Sequence, residues 1–162
     1  MSLWTRGAAA SAAALLLSAC GPSSVEIHAP ELSKADAAAC RTLVGDLPDR
    51  LAGHARVETT GDTRYGAAWG DPAIVLTCGV GRPAGFNDTS SCVTMNRTGW
   101  FVPDSVLLSS DETRDVTTTE LNYRPRVRLF VPGGYRPEGF TNSIGEIGRL
   151  IEHDLRRTGR CH

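Results

Sequence analysis

Along residues 35–51, Cys40, Leu43, Val44, Leu47 and Leu51 recur at spacings of three and four, the apolar stripe of an amphipathic helix. Ser33 is placed to cap it, and Pro48 predicts a kink or a stop near Leu47. Between residues 57 and 131 the period shortens to two, punctuated by Gly, Pro, Asn and Asp, as in antiparallel strands joined by turns. Segments 65–69, 73–79, 92–95, 100–102, 116–121 and 126–131 read as strands, with Gly70-Asp71-Pro72 and Asn96-Arg97-Thr98-Gly99 as turn signals. Ser143-Ile144-Gly145-Glu146 matches a capping box, Ile144, Ile147, Leu150, Ile151 and Leu155 supply the apolar face of a last helix, and Gly159 is placed to end it. The pattern predicts an α+β domain: an antiparallel sheet of about five to six strands with an N-terminal and a C-terminal helix packed on one face.

The first residues follow a different pattern. Residues 7–17 are an unbroken small and apolar run behind a short segment with one arginine. Such a run is too short to span a bilayer, which takes about 20 residues, and has the length of a signal-peptide core. Leu17-Ser18-Ala19-Cys20 follows directly and resembles the lipobox of bacterial lipoproteins. The residue types suit the chemistry, since small side chains admit a signal peptidase and a thiol accepts the diacylglycerol. The expected organisation is a lipoprotein signal peptide over 1–19, an acylated Cys20 with a flexible tether over 20–34, and a single extracytoplasmic domain over 35–162. Two or three acyl chains make a stable anchor where one is marginal, so the cell membrane, extracytoplasmic face, is the expected location. Residues 21–32 carry two prolines, two serines and no helical period; fully extended, that spacer reaches about 40 Å. His28 falls within it.

Composition narrows the classes further. The 162 residues hold 17 Lys+Arg against 18 Asp+Glu, a net charge of −1, which argues against a general nucleic-acid binder. At 41% hydrophobic the chain is also too apolar for a disordered one. Apart from Cys20 there remain Cys40, Cys78, Cys92 and Cys161, an even set in an exported chain and so two expected disulfides. Of the three connectivities, position along the chain favours Cys78–Cys92, on consecutive strand-like segments, and Cys40–Cys161, stapling the two helices. No cysteine pair has Cys-x-x-Cys or metal-ligand spacing.

Little in the chain points to catalysis. There is no Gly-x-Ser-x-Gly nucleophile turn. None of His28, His54, His153 and His162 has metal-binding spacing, so no catalytic residue, metal or cofactor is expected. His153 adjoins Asp154, but side chains at i and i+1 of a helix diverge. Gly79-Val80-Gly81 lacks the rest of a phosphate loop and reads as loop structure. Asp111, Glu112, Asp115 and Glu120 lack EF-hand spacing and read as a solvated acidic loop. Arg124, Arg126 and Arg128 alternate so that one strand face would carry all three, opposite Val127, Leu129 and Val131. Guanidinium forks match phosphate and carboxylate, which makes these three the candidate anionic-ligand residues. Trp69 and Trp100 read as core or sheet-face packing.

The lipobox, the segment from Ala39 through Cys40 to Pro48, and above all Ala67-Ala-Trp-Gly-Asp-Pro-Ala-Ile-Val-Leu-Thr-Cys-Gly-Val80 together resemble actinobacterial exported proteins grouped as domain-of-unknown-function family 3515. The resemblance extends over most of residues 36–162. It implies an N-terminal membrane or lipid anchor and one small extracytoplasmic domain, and carries no activity. The expected function is a non-catalytic binding or scaffolding module. Its partners would be the membrane, through the anchor, with an envelope protein or an anionic wall or lipid ligand, and not nucleic acid. The alternative is an envelope hydrolase acting through carboxylates such as Asp71 or Asp104.

Overall fold

The computed structural model describes residues 24–161. An N-terminal arm with strand β1 (Val25–Ile27) leads to helix α1 (Lys34–Gly45), then to β2 (Arg50–Leu51), β3 (His54–Val57), β4 (Thr59–Gly61), β5 (Gly66–Trp69) and β6 (Ile74–Val80). After a long loop come β7 (Val93–Met95), β8 (Thr98–Phe101), the one-turn helix α2 (Asp104–Leu107), β9 (Val116–Glu120), β10 (Tyr123–Arg124) and β11 (Arg126–Val131). Helix α3 (Glu138–Asp154) and β12 (Arg156–Arg157) complete the chain. Eight strands form one antiparallel sheet in the order β2-β3-β5-β6-β11-β9-β8-β7. β1 pairs in parallel with β4, and β10 pairs antiparallel with β12, in two smaller sheets.

The segments with period two became β5, β6, β7, β8, β9 and β11, and the sheet exceeds the expected five to six strands by the hairpin β2–β3. That hairpin turns on Ala52 and Gly53, at φ of 47° and 86°. Two successive positive φ values define the turn that suits twisted strands, normally announced by Asn-Gly. With Ala in the first position, the signal is absent from the sequence.

The helices also shift. Ser33 caps α1 as its chemistry predicts, its Oγ accepting from the Asp36 N–H at 3.1 Å. The helix closes at Gly45 with Asp46 as its C-cap, the early stop expected before Pro48, which disfavours helical backbone at the residue before it. Helix α3 begins at Glu138, behind Pro137, so Ser143 is no cap: it lies fully buried inside the helix. Glu146, the other half of the apparent capping box, instead accepts the Ala52 N–H at 3.3 Å and ties the hairpin to the helix. Helix α3 ends at Asp154, short of Gly159.

One core joins the layers. Cys40, Leu43 and Val44 of α1 and Ile144, Ile147 and Ile151 of α3 cluster with Ile74, Leu76, Val127, Leu129 and Val131 of the central strands. Trp69 and Trp100 are wholly buried in it as expected. The Trp69 indole N–H donates to Pro48 O at 2.9 Å and that of Trp100 to Thr98 Oγ1 at 2.8 Å, the polar satisfaction a buried indole requires.

Two expectations are corrected. The disulfides join Cys40 to Cys78 and Cys92 to Cys161, with Cα atoms 5.6 and 5.8 Å apart, and not Cys78 to Cys92 or Cys40 to Cys161. Cys78 lies on β6 and Cys92 just precedes β7, consecutive in sequence but four places apart in the sheet. At about 4.8 Å per strand they are about 19 Å apart, far beyond bridging distance. The chain leaving α3 runs back along β10 as β12, which carries Cys161 to the β8 end of the sheet and away from α1.

The segment 20–34 is also not a free spacer throughout. From Val25 the arm is docked: Ile27 is 1% exposed and lies against Gly66, and Leu32 occupies the space a Cβ at Gly79 would need. Gly79 stands at φ 88° as the extra residue of a bulge, since Cys78 faces Val127 while Val80 faces Arg126. The bulge bends the end of β6 and aims the following loop across the sheet. Among the described residues, no helix is long and apolar enough to cross a membrane.

Candidate functional site: an arginine-walled cavity on the sheet

The face of the sheet turned away from the core is polar at its centre. Arg128 on β11 lies in register with Thr77 on β6 and Thr119 on β9, and Thr119 in turn with Phe101 on β8. Strand alternation places these side chains on one face, opposite Leu76, Leu129 and Trp100. A cavity of about 370 Å³ opens there, walled by Arg128, Thr117, Thr119, Phe101 and the loop residues Gly81, Arg82 and Pro83. A second, of about 390 Å³, shares Arg128, Val80 and Gly81 and has His28 to Pro30 of the N-terminal arm as its other wall.

Arg82 is held by stacking. Its guanidinium lies 4.8 Å from the centre of the Phe86 ring, and Phe86 meets Phe101 edge-on at 5.3 Å, so an aromatic pair anchored in the sheet orients a loop cation. Its one ionic contact among the described residues, to Asp88 at 3.6 Å, is between exposed side chains and is worth little in water. Among the described residues Arg128 makes no salt bridge. Two guanidiniums, two threonine hydroxyls and apolar walls can bind a ligand with an anionic end and an apolar body.

The expected ladder of Arg124, Arg126 and Arg128 is not one face of one strand. Pro125, with no N–H to donate, separates β10 from β11, and Arg124 belongs to the small sheet, opposite Arg156. Arg126 lies beside the bulge with a buried, unpartnered Nε. Burial and then the charges of Arg124 and Arg82 lower its pKa, against the opposing pull of Glu120. Arg128 alone of the three lines the cavity, where Arg82 joins it, and Arg82 is the member that sequence reasoning missed. Alternation within a strand cannot reveal a loop residue brought in by a bulge.

Glu120 is not part of a solvated acidic loop. It is wholly buried, and its Oε1 accepts the N–H groups of Gly99 at 3.1 Å and Asn122 at 2.9 Å, while Oε2 accepts that of Tyr123 at 2.9 Å. Burial raises its pKa above the ordinary value, against the lowering effect of those N–H donors and of Arg126. Its role is to hold the β9–β10 corner. Asp111 and Asp115 do lie in a loop: Asp111 accepts from Thr113, and Asp115 accepts the Gly133 N–H at 2.8 Å.

His153 and Asp154 do meet despite adjacency, with Nδ1 2.6 Å from Oδ1, because α3 ends at Asp154. Asp154 and Asp46 hold the imidazole pKa above its usual range. Asp71 and Asp104, the residues of the hydrolase alternative, line separate cavities of about 220 and 250 Å³. Cys20 lies outside the described residues.

Comparison with known proteins gives a family and no further relative. No curated protein and no solved structure matches the chain. A family model described as "Protein of unknown function (DUF3515)" matches residues 2–158. The match takes in the arm, the sheet, both long helices and the arginine cavity, and on it the chain belongs to the DUF3515 family.

Proposed function

We propose that this chain is an actinobacterial exported lipoprotein, acylated at Cys20 on the extracytoplasmic face of the cell membrane, whose domain is a non-catalytic module binding an anionic envelope ligand in the cavity between Arg82 and Arg128. The observation that carries the binding reading is the pair of guanidiniums lining one cavity with no buried acidic partner among the described residues, in a chain of net charge −1. Phosphate or carboxylate is the complementary chemistry, and the Phe101 and Pro83 walls favour an apolar portion beside it. What supports export is the Leu17-Ser18-Ala19-Cys20 motif together with the two disulfides, which persist in oxidising compartments.

Two measurements test the reading. Cys20→Ala is expected to move the chain from the membrane fraction to the soluble fraction of its host; continued retention of the variant contradicts acylation. For the cavity, sedimentation with phosphatidylglycerol vesicles and titration with soluble anionic cell-wall fragments are compared for the intact chain and for Arg82→Ala with Arg128→Ala. Losing two charge-assisted contacts should weaken binding at least tenfold, since each is worth about 1.5–3 kcal/mol. Equal binding by the double variant rules the cavity out, and absence of binding by the intact chain to either probe rules out this ligand class.

A further inference from the structure

A second site stands apart from the cavity, where the C-terminal ends of α1 and α3 meet. Asp46 caps α1, and His153 and Asp154 end α3. One ligand atom of each lies within 4.8 Å of the others. We propose that Asp46, His153 and Asp154 bind a divalent transition-metal ion such as zinc.

Three independent features point to a cation. The Asp154 side chain is 2% exposed, and its Oδ2 is buried without a hydrogen-bond partner while Oδ1 faces His153. A carboxylate oxygen withdrawn from water without a partner is costly, and a cation beside it removes that cost. Both helix C-termini also bring the negative ends of their dipoles here, which favours positive charge. In the last turn of α1 there is no basic residue, and in that of α3 the basic residue is His153 itself. Finally, Asp46 and His153 are exposed, so an ion can enter from solvent and settle against Asp154 at the floor.

The donor set chooses the ion. One imidazole nitrogen with two carboxylate oxygens suits zinc and its first-row neighbours, whereas calcium and magnesium prefer all-oxygen shells. Three protein donors leave a position for water. Asp46 is remote in sequence from the other two, so no motif spacing announces the group.

The test is isothermal titration of zinc chloride into the oxidised full chain carrying Cys20→Ala, which removes the remaining thiol, with magnesium chloride as comparison. One zinc per chain is expected, unaffected by millimolar magnesium, with affinity falling about tenfold or more in Asp46→Asn and further in His153→Ala. Asp46 is exposed, so its variant leaves the fold intact, and circular dichroism checks this. Cobalt substitution should give visible absorption bands that Asp46→Asn alters. No zinc uptake overturns the proposal. So does uptake that Asp46→Asn leaves unchanged, which marks a lone surface histidine or another of the chain's histidines as the donor.

Discussion

Replacing Cys40 and Cys78 together by Ala is expected to lower the free energy of unfolding by about 4 kcal/mol, read from urea denaturation of the otherwise oxidised chain. The bridge spans 38 residues, and closing a loop of that length in the unfolded chain costs about 4 kcal/mol on the chain-entropy account. Domains of this size carry about 5–15 kcal/mol in all, so much of the margin disappears. Both cysteines are fully buried and belong to the core cluster, where Ala leaves little void. The pattern across variants also reports connectivity. Cys40→Ala alone should cost nearly as much as the double change, because either substitution breaks the same bridge. Cys40→Ala with Cys92→Ala should cost close to twice as much, since it breaks both. The reverse pattern, with Cys78 and Cys92 acting as one unit, would restore the connectivity that chain position suggests.

The second large effect concerns Glu120. Glu120→Ala removes the acceptor of three buried N–H groups, those of Gly99, Asn122 and Tyr123. Each unsatisfied donor costs about 1–3 kcal/mol, so a loss of about 4 kcal/mol is expected after partial relaxation. Glu120→Gln should lose about 2 kcal/mol, because its amide oxygen retains two of the three donors and its NH₂ opposes the third. Acidity adds a distinguishing signature. The carboxyl titrates near 4.5 in the unfolded chain and higher in the folded one, so the folded state keeps a proton that the unfolded state releases. That contribution is complete below pH 4.5, and it fades as pH rises through the folded value. Thermal unfolding of the wild type should accordingly lose this increment on passing from pH 4 toward neutrality, while Glu120→Gln shows no such change. The penalty of the Gln variant is thus largest in acid. A penalty constant with pH would show that Glu120 keeps its ordinary acidity despite burial.

Sequence patterning captured what depends on neighbours in the chain. The alternation that made β11 visible is a local property of a segment with one face in the core, and the Ser33 cap is a local hydrogen bond. What escaped depends on remote partners. Val25 and Ile27 look like linker residues until β4 and Gly66 supply their contacts. Ser143 and Glu146 satisfy the capping pattern, yet Pro137 starts the helix earlier and leaves that pattern inside it. Of the cavity, Arg128 was legible from its strand. Arg82 was not, because only a bulge at Gly79 and the stacking of Phe86 on Phe101 bring it there. Glu120 resembled its acidic neighbours in type; what distinguishes it is a buried corner that turns the Asn122 and Tyr123 N–H groups back onto it and the Gly99 N–H brought in from β8.

On the proposed acylation at Cys20, the docked arm shortens the leash between domain and membrane. With the chain engaged from Val25 onward, four residues lie between Cys20 and that point, five residue steps in all. Even at full stretch they span at most about 17 Å, less than half of what a free spacer would allow. On the proposed acylation the domain therefore rides close above the lipid headgroups, within about two Debye lengths at physiological salt. It would work as a fixture of the membrane surface, reaching ligands that come to the bilayer and not those deep in the wall.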